Sequence, residues 1–164
     1  MLVFAACVFP VHLWTVINML REVPAWVLRL SSWQLVGVVS YALMVALVES
    51  LLLLAGLVIV GIALPRAVLD DSFVAQASMA ALLTSVWAVV AHYNDQAIRL
   101  WGLRQFALWG MVYLASILLA YGLIRRFEQL KRVLNALVEG LSVLSFLYVF
   151  ADLLSVTVVI VRNL

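Results

Sequence analysis

From Trp33 to Leu64 the chain reads WQLVGVVSYALMVALVESLLLLAGLVIVGIAL, 32 residues with a single charged side chain, Glu49. As a helix this run rises about 48 Å, against roughly 30 Å for the hydrocarbon of a bilayer, so it has to tilt, kink near Gly56 or Gly61, or emerge from the membrane. It shows none of the alternation of apolar and polar residues that a membrane β-strand needs. The run therefore predicts a membrane-spanning helix.

Four more apolar runs of spanning length lie at 2–20, 73–93, 105–122 and 140–161. The stretches between the five, 21–32, 65–72, 94–104 and 123–139, are too short to fold as domains of their own. The expected fold is all-α: an integral membrane helical bundle, one transmembrane domain over 1–164, with five spans, short loops and one or two interfacial amphipathic helices. Composition agrees. Of 164 residues 68% are hydrophobic and 11% charged, whereas a soluble domain is about 25% charged. So few charges cannot cover the surface of a small globule, so lipid must solvate most of it.

Several function classes are excluded. The net charge of +2 is spread along the chain, without a basic block for a nucleic acid to neutralise. Cys7 is the sole cysteine, so no internal disulfide or thiol redox pair forms. The first residues lack the basic region of a signal peptide and read as part of the first span. His-Glu-x-x-His, paired cysteines and phosphate-binding glycine loops are absent, and no cofactor is expected. His12 and His92 differ by roughly 15 Å in expected depth, too far to ligate one haem iron together.

Two segments look interfacial. Glu22 to Ser32 places Trp26, Arg29 and Trp33 on one face behind Pro24, predicting a short helix flat in the headgroup region. Arg125 to Asn135 puts Phe127, Leu130, Leu134 and Leu137 on one side, with Arg125, Arg126, Lys131 and Arg132 available to anionic lipid. The polar run from His92 to Gln96 predicts a solvent-facing turn, with Asn94 or Asp95 capping a short helix that ends near Gly102. Lys and Arg counts tie at five on each side. The density of the Arg125 to Arg132 group points to that side, and with it the N-terminus, as the cytoplasmic one of a cell-membrane protein.

Within the spans the third helix shows a small-residue stripe, Ser78, Ala81, Ser85, Ala88 and His92, expected at a helix contact. The second carries Ala42, Ala46, Glu49, Leu53 and Gly56 on one face. The fifth carries the longest polar stripe: Ser142, Ser145, Tyr148, Asp152 and Ser155. The first carries His12, Thr15, Asn18 and Glu22 beyond Pro10. His12, Glu49 and Asp152 fall at a common depth. An intramembrane carboxyl has to face the bundle, find a partner or take up a proton; Glu49 and Asp152 are both expected to point inward, at least one of them within hydrogen-bond reach of His12, Tyr148 or Ser145.

The leading functional expectation is a non-enzymatic subunit or accessory protein of a larger membrane complex, meeting the bilayer and either a membrane-protein partner or further copies of itself. Small-residue faces, minimal loops and six tryptophans suited to interfaces point that way. The alternative is a small proton- or ion-coupled transporter working through the intramembrane carboxylates. A lipid-acting enzyme would have only Tyr148, Asp152 and His12 for its chemistry.

Overall fold

The computed structural model describes residues 2–63 and 73–164. Its helices are α1 (Leu2–Arg29), α2 (Ser32–Ala63), α3 (Phe73–Tyr93), the single turn α4 (Asp95–Ile98), α5 (Leu103–Arg126) and α6 (Glu128–Asn163), with no strand among the described residues. Five of them, all but α4, are long and apolar enough to cross a membrane. The connection at 65–72, including Arg66, lies outside the described residues.

Each long helix reverses direction against the one before it. α3 and α6 each touch all four other long helices, and α1 touches α2, α3 and α6. α1 and α3 bury small side chains, Ala5, Ala6 and Cys7 on α1 and Ala75, Ala77, Ser78 and Ala81 on α3. Close approach of backbones is what holds helices together where water supplies no driving force. The predicted stripe on α3 is correct over its first half. Beyond it Ser85 is half-buried, and Ala88 and His92 are exposed.

Neither predicted interfacial helix exists as a separate element. Glu22 to Arg29 is the end of α1, which runs unbroken for 28 residues through Pro10 and Pro24. Pro24 removes the helical donor to the carbonyl of Leu20, yet both residues are on the exposed side and the helix continues. The real break is at Leu30 and Ser31. There the Ser31 N–H donates to Gln34 Oε1 at 2.9 Å and the Gln34 N–H approaches Ser31 Oγ at 3.4 Å, a reciprocal cap that starts α2.

The second amphipathic segment is the beginning of the 36-residue α6, set off from α5 by one extended residue, Phe127. Its apolar face is rotated from the expected one. Leu130, Leu134 and Val138 pack against Ala75, Ile124 and Ala81, whereas Phe127 and Leu137 are exposed. Leu134 and Val138 continue the buried line of α6 toward Ser145 and Asp152, so this face serves the bundle rather than the headgroups.

The connection between α3 and α5 also differs in detail. Asn94 turns its carboxamide back to the Val90 carbonyl at 2.8 Å and does not cap α4, which ends at Ile98. Asp95 instead takes Arg99 in a paired contact at 2.9–3.1 Å, and this hydrogen bonding holds its carboxyl below the usual carboxylate range.

α5 is attached to α3 by a polar and aromatic seam. Thr84 Oγ1 donates to the Ala80 carbonyl at 2.7 Å and so accepts from the Tyr113 hydroxyl at 2.9 Å. One turn on, Trp87 Nε1 donates to Ser116 Oγ at 3.1 Å. Trp87, Trp109 and Trp101 stack edge to face in sequence. These three tryptophans meet one another, a role not expected from their suitability for interfaces.

Ser78 is fully buried, and its hydroxyl has no hydrogen-bond partner among the described residues. Ser78→Ala is expected to raise stability by about 1 kcal/mol, since it removes an unsatisfied polar atom and keeps the small stripe. Unfolding in mixed micelles measures this, and a destabilisation of similar size would show that the hydroxyl is satisfied.

Candidate functional site

The polar stripe of α6 faces α1. Ser145 and Ser155 donate to their own helix at Leu141 and Ala151, at 2.8 Å each, which lets them lie at buried positions without a partner on another helix. Ser145 Oγ is also 3.3 Å from the Ala5 carbonyl of α1. Two turns further on, Asp152 meets His12.

His12 and Asp152 are 0% and 1% exposed. His12 Nδ1 is 2.9 Å from the Val8 carbonyl, and Nε2 is 3.0 Å from both carboxyl oxygens of Asp152. A carbonyl only accepts, so Nδ1 carries a hydrogen and donates it to Val8. One proton then lies between Nε2 and the carboxyl. Whether it sits on nitrogen or on oxygen, the pair is neutral overall, which is how two ionisable groups can be buried at this depth. Tyr148 stacks on the imidazole at 5.2 Å between ring centres and 25° between planes. The ring is thereby fixed at both nitrogens and on one face, tying α1 to α6.

Glu49 does not join this site. The expectation that it points inward is wrong: it is exposed, with no hydrogen-bond or ionic partner among the described residues. The buried line of α2 is Gly37, Ser40, Leu43, Ala46 and Ser50, and Glu49 lies about 100° around the helix from Ser50. It opens instead into a groove of about 460 Å³ between α1 and α2, lined by Trp14, Thr15, Asn18, Glu22, Trp26 and Tyr41 among others. The antiparallel pairing puts Glu49 beside Trp14 and Thr15, within a turn of His12 in depth, and Tyr41 toward Trp26 at the groove's outer end. Thr15, Asn18 and Glu22, expected on one face with His12, line this groove on a face of α1 next to the buried one.

Of the other residues singled out from the sequence, Trp26 lines the groove and Arg29 and Trp33 are exposed near it. The Trp33 carbonyl accepts from Arg162 at 3.2 Å, and Asn163 reaches the Tyr41 hydroxyl at 2.7 Å, fastening the end of α6 to the start of α2. That guanidinium lies against Gly37, where a Cβ would collide with it. At the opposite end of the bundle Arg125, Arg126 and Arg132 are exposed, and Lys131 is 3.9 Å from Glu128.

No family model, curated protein or solved structure matches this chain. The site therefore has to be read from its own chemistry. No group of three His, Cys, Asp or Glu side chains converges among the described residues. The buried pair offers one shared proton inside a packed helix contact, and the groove offers two carboxylates, Glu22 and Glu49, each without a cationic partner among the described residues.

Proposed function

We propose that this chain is a non-enzymatic subunit of a larger membrane complex, and that the groove between α1 and α2 receives a membrane-spanning helix of a partner protein carrying a lysine or arginine at mid-bilayer depth. The observation that carries this reading is the exposed position of Glu49. A carboxylate at the centre of a spanning helix costs about 2.5–3.5 kcal/mol on insertion scales, and one facing hydrocarbon finds nothing to offset that cost. A cation on a partner helix offsets it. Thr15 and Asn18 add hydrogen-bonding groups along the same groove, and Glu22 a second carboxylate, so the groove is complementary to a basic, amphipathic helix surface.

Self-association through this groove fits less well, because a two-fold contact presents the same acidic patch from both copies. The density of the four basic residues from Arg125 to Arg132 supports a cytoplasmic location for their end of the bundle in a cell membrane, and the N-terminus belongs to the same side in this reading.

Photocrosslinking in native membranes tests the reading. A benzophenone side chain in place of Val45, on the groove, should yield one discrete protein adduct. The same side chain in place of Leu147, on the exposed face of α6, should yield lipid adducts. Lipid adducts alone at both positions would sink the proposal.

A further inference from the structure

At the Arg125 end of the bundle, α2 and α5 both lean on α3 without touching each other among the described residues. The gap between them is a cleft of about 120 Å³, lined by Leu57, Gly61, Phe73, Ala80, Ile117 and Ala120, with the polar side chains of Gln76 and, at its outer end, Tyr121. Small residues keep it open: a Cβ on Gly61 would come within 3.3 Å of the Phe73 ring. In a membrane, a largely apolar cleft of this kind is open to the acyl chains around it.

Ile117, Tyr121 and Arg125 follow one another at intervals of four, so Arg125 stands over the cleft on the same side of α5, about 6 Å beyond Tyr121. Its guanidinium is exposed and has no carboxylate partner among the described residues. The one acidic residue nearby in the chain, Glu128, pairs with Lys131. Arg126, Lys131 and Arg132 add positive charge around the same end. A largely apolar cleft that opens beneath a cation without a carboxylate partner among the described residues matches the two ends of one molecule.

We propose that this cleft holds part of one acyl chain of an anionic phospholipid whose phosphate pairs with Arg125. The inference rests on the membrane-spanning reading of the helices and is independent of any protein partner. It lies at the opposite end of the bundle from the outer mouth of the Glu49 groove, on other helix faces.

Native mass spectrometry of the full chain in detergent, with phosphatidylglycerol or phosphatidylcholine added at equal concentration, tests it. One phosphatidylglycerol should be retained in preference to phosphatidylcholine. Arg125→Gln, at an exposed position that does not threaten folding, should reduce that preference about fivefold. Arg104→Gln, an equal loss of charge at the other end, should leave it unchanged. Ala80→Leu, which fills the cleft, should weaken retention of both lipids. Glycerol phosphate, which carries the headgroup anion without a tail, should not compete. Equal retention of the two lipids, equal effects of Arg125→Gln and Arg104→Gln, or full competition by glycerol phosphate would each overturn the proposal.

Discussion

Asp152→Ala is expected to lower the unfolding free energy by about 3–5 kcal/mol, and His12→Ala by a similar amount. Either change leaves the other member of the pair without its proton partner at a position that is 0% or 1% exposed, out of contact with the surroundings of the bundle. The cost comes from that stranded group rather than from a large intrinsic attraction. It follows that His12→Leu with Asp152→Leu, which removes both members and refills the space with apolar side chains, should recover most of the loss seen in either alanine variant. Tyr148→Phe keeps the stacked ring and should stay within about 0.5 kcal/mol of the parent, since the hydroxyl has no hydrogen-bond partner among the described residues. Unfolding followed by tryptophan fluorescence in bicelles measures all four. If the double leucine variant proves as unstable as either alanine variant, the pair is more than a neutral polar lock between α1 and α6.

Glu49→Lys should have the opposite profile. Glu49 touches no group of its own chain through hydrogen bonds or ion pairs among the described residues, so the isolated protein should unfold within about 0.5 kcal/mol of the parent. Association should collapse. Turning an attractive pair into two like charges in a desolvated interface costs several kcal/mol, and each 1.4 kcal/mol is tenfold in affinity, so a fall of about 100-fold or more is expected. Glu49→Gln keeps the shape and hydrogen bonding of the side chain while removing its charge. It should weaken the complex by about tenfold, the scale of one interhelical polar contact. Co-purification after gentle extraction, titrated by expression level, reads these differences. A complex unmoved by Glu49→Lys would exclude the groove as the docking surface. A complex intact in Glu49→Gln together with lost proton movement would favour the transporter alternative.

The two acids show what the sequence could and could not convey. Asp152 belongs to a stripe of five polar residues at intervals of three and four, and a line of that length fixes which side of α6 faces the bundle. Glu49 stands alone among aliphatic residues, so the face of α2 had to be inferred from small residues. Two such faces compete: Ala42, Ala46 and Gly56 on one, and Gly37, Ser40, Leu43, Ala46 and Ser50 on the other. The second is buried, and the self-satisfied serine within it is the better sign, since Ser50 donates to the Ala46 carbonyl at 2.7 Å and needs nothing from a neighbour. Choosing the first face turned Glu49 inward.

Helix ends were legible where a cap marks them. Ser31 and Gln34 have the spacing of a reciprocal cap, and reading it would have joined Trp26 and Arg29 to α1 instead of to a separate interfacial helix. Pro24 suggested a helix start because proline favours a first turn, yet at an exposed position near the end of a packed helix it is tolerated. The break at Phe127 has no local signal: neither glycine nor proline stands there, and the turn is set by how Ile124 and Leu134 converge on Ala75.

The two-residue turn at Leu30 and Ser31 also bears on how the protein is made. α1 and α2 are joined so tightly that neither can be threaded across the bilayer independently of the other. They must enter it together, as a helical hairpin. α2 has the highest mean hydropathy of the five spans, 2.7 against 1.8 for α1, and so carries most of the favourable transfer free energy for the pair. During synthesis α2 draws in a first helix that brings His12, Asn18 and Glu22 with it. His12 then waits in the membrane for Asp152, which leaves the ribosome some 140 residues later.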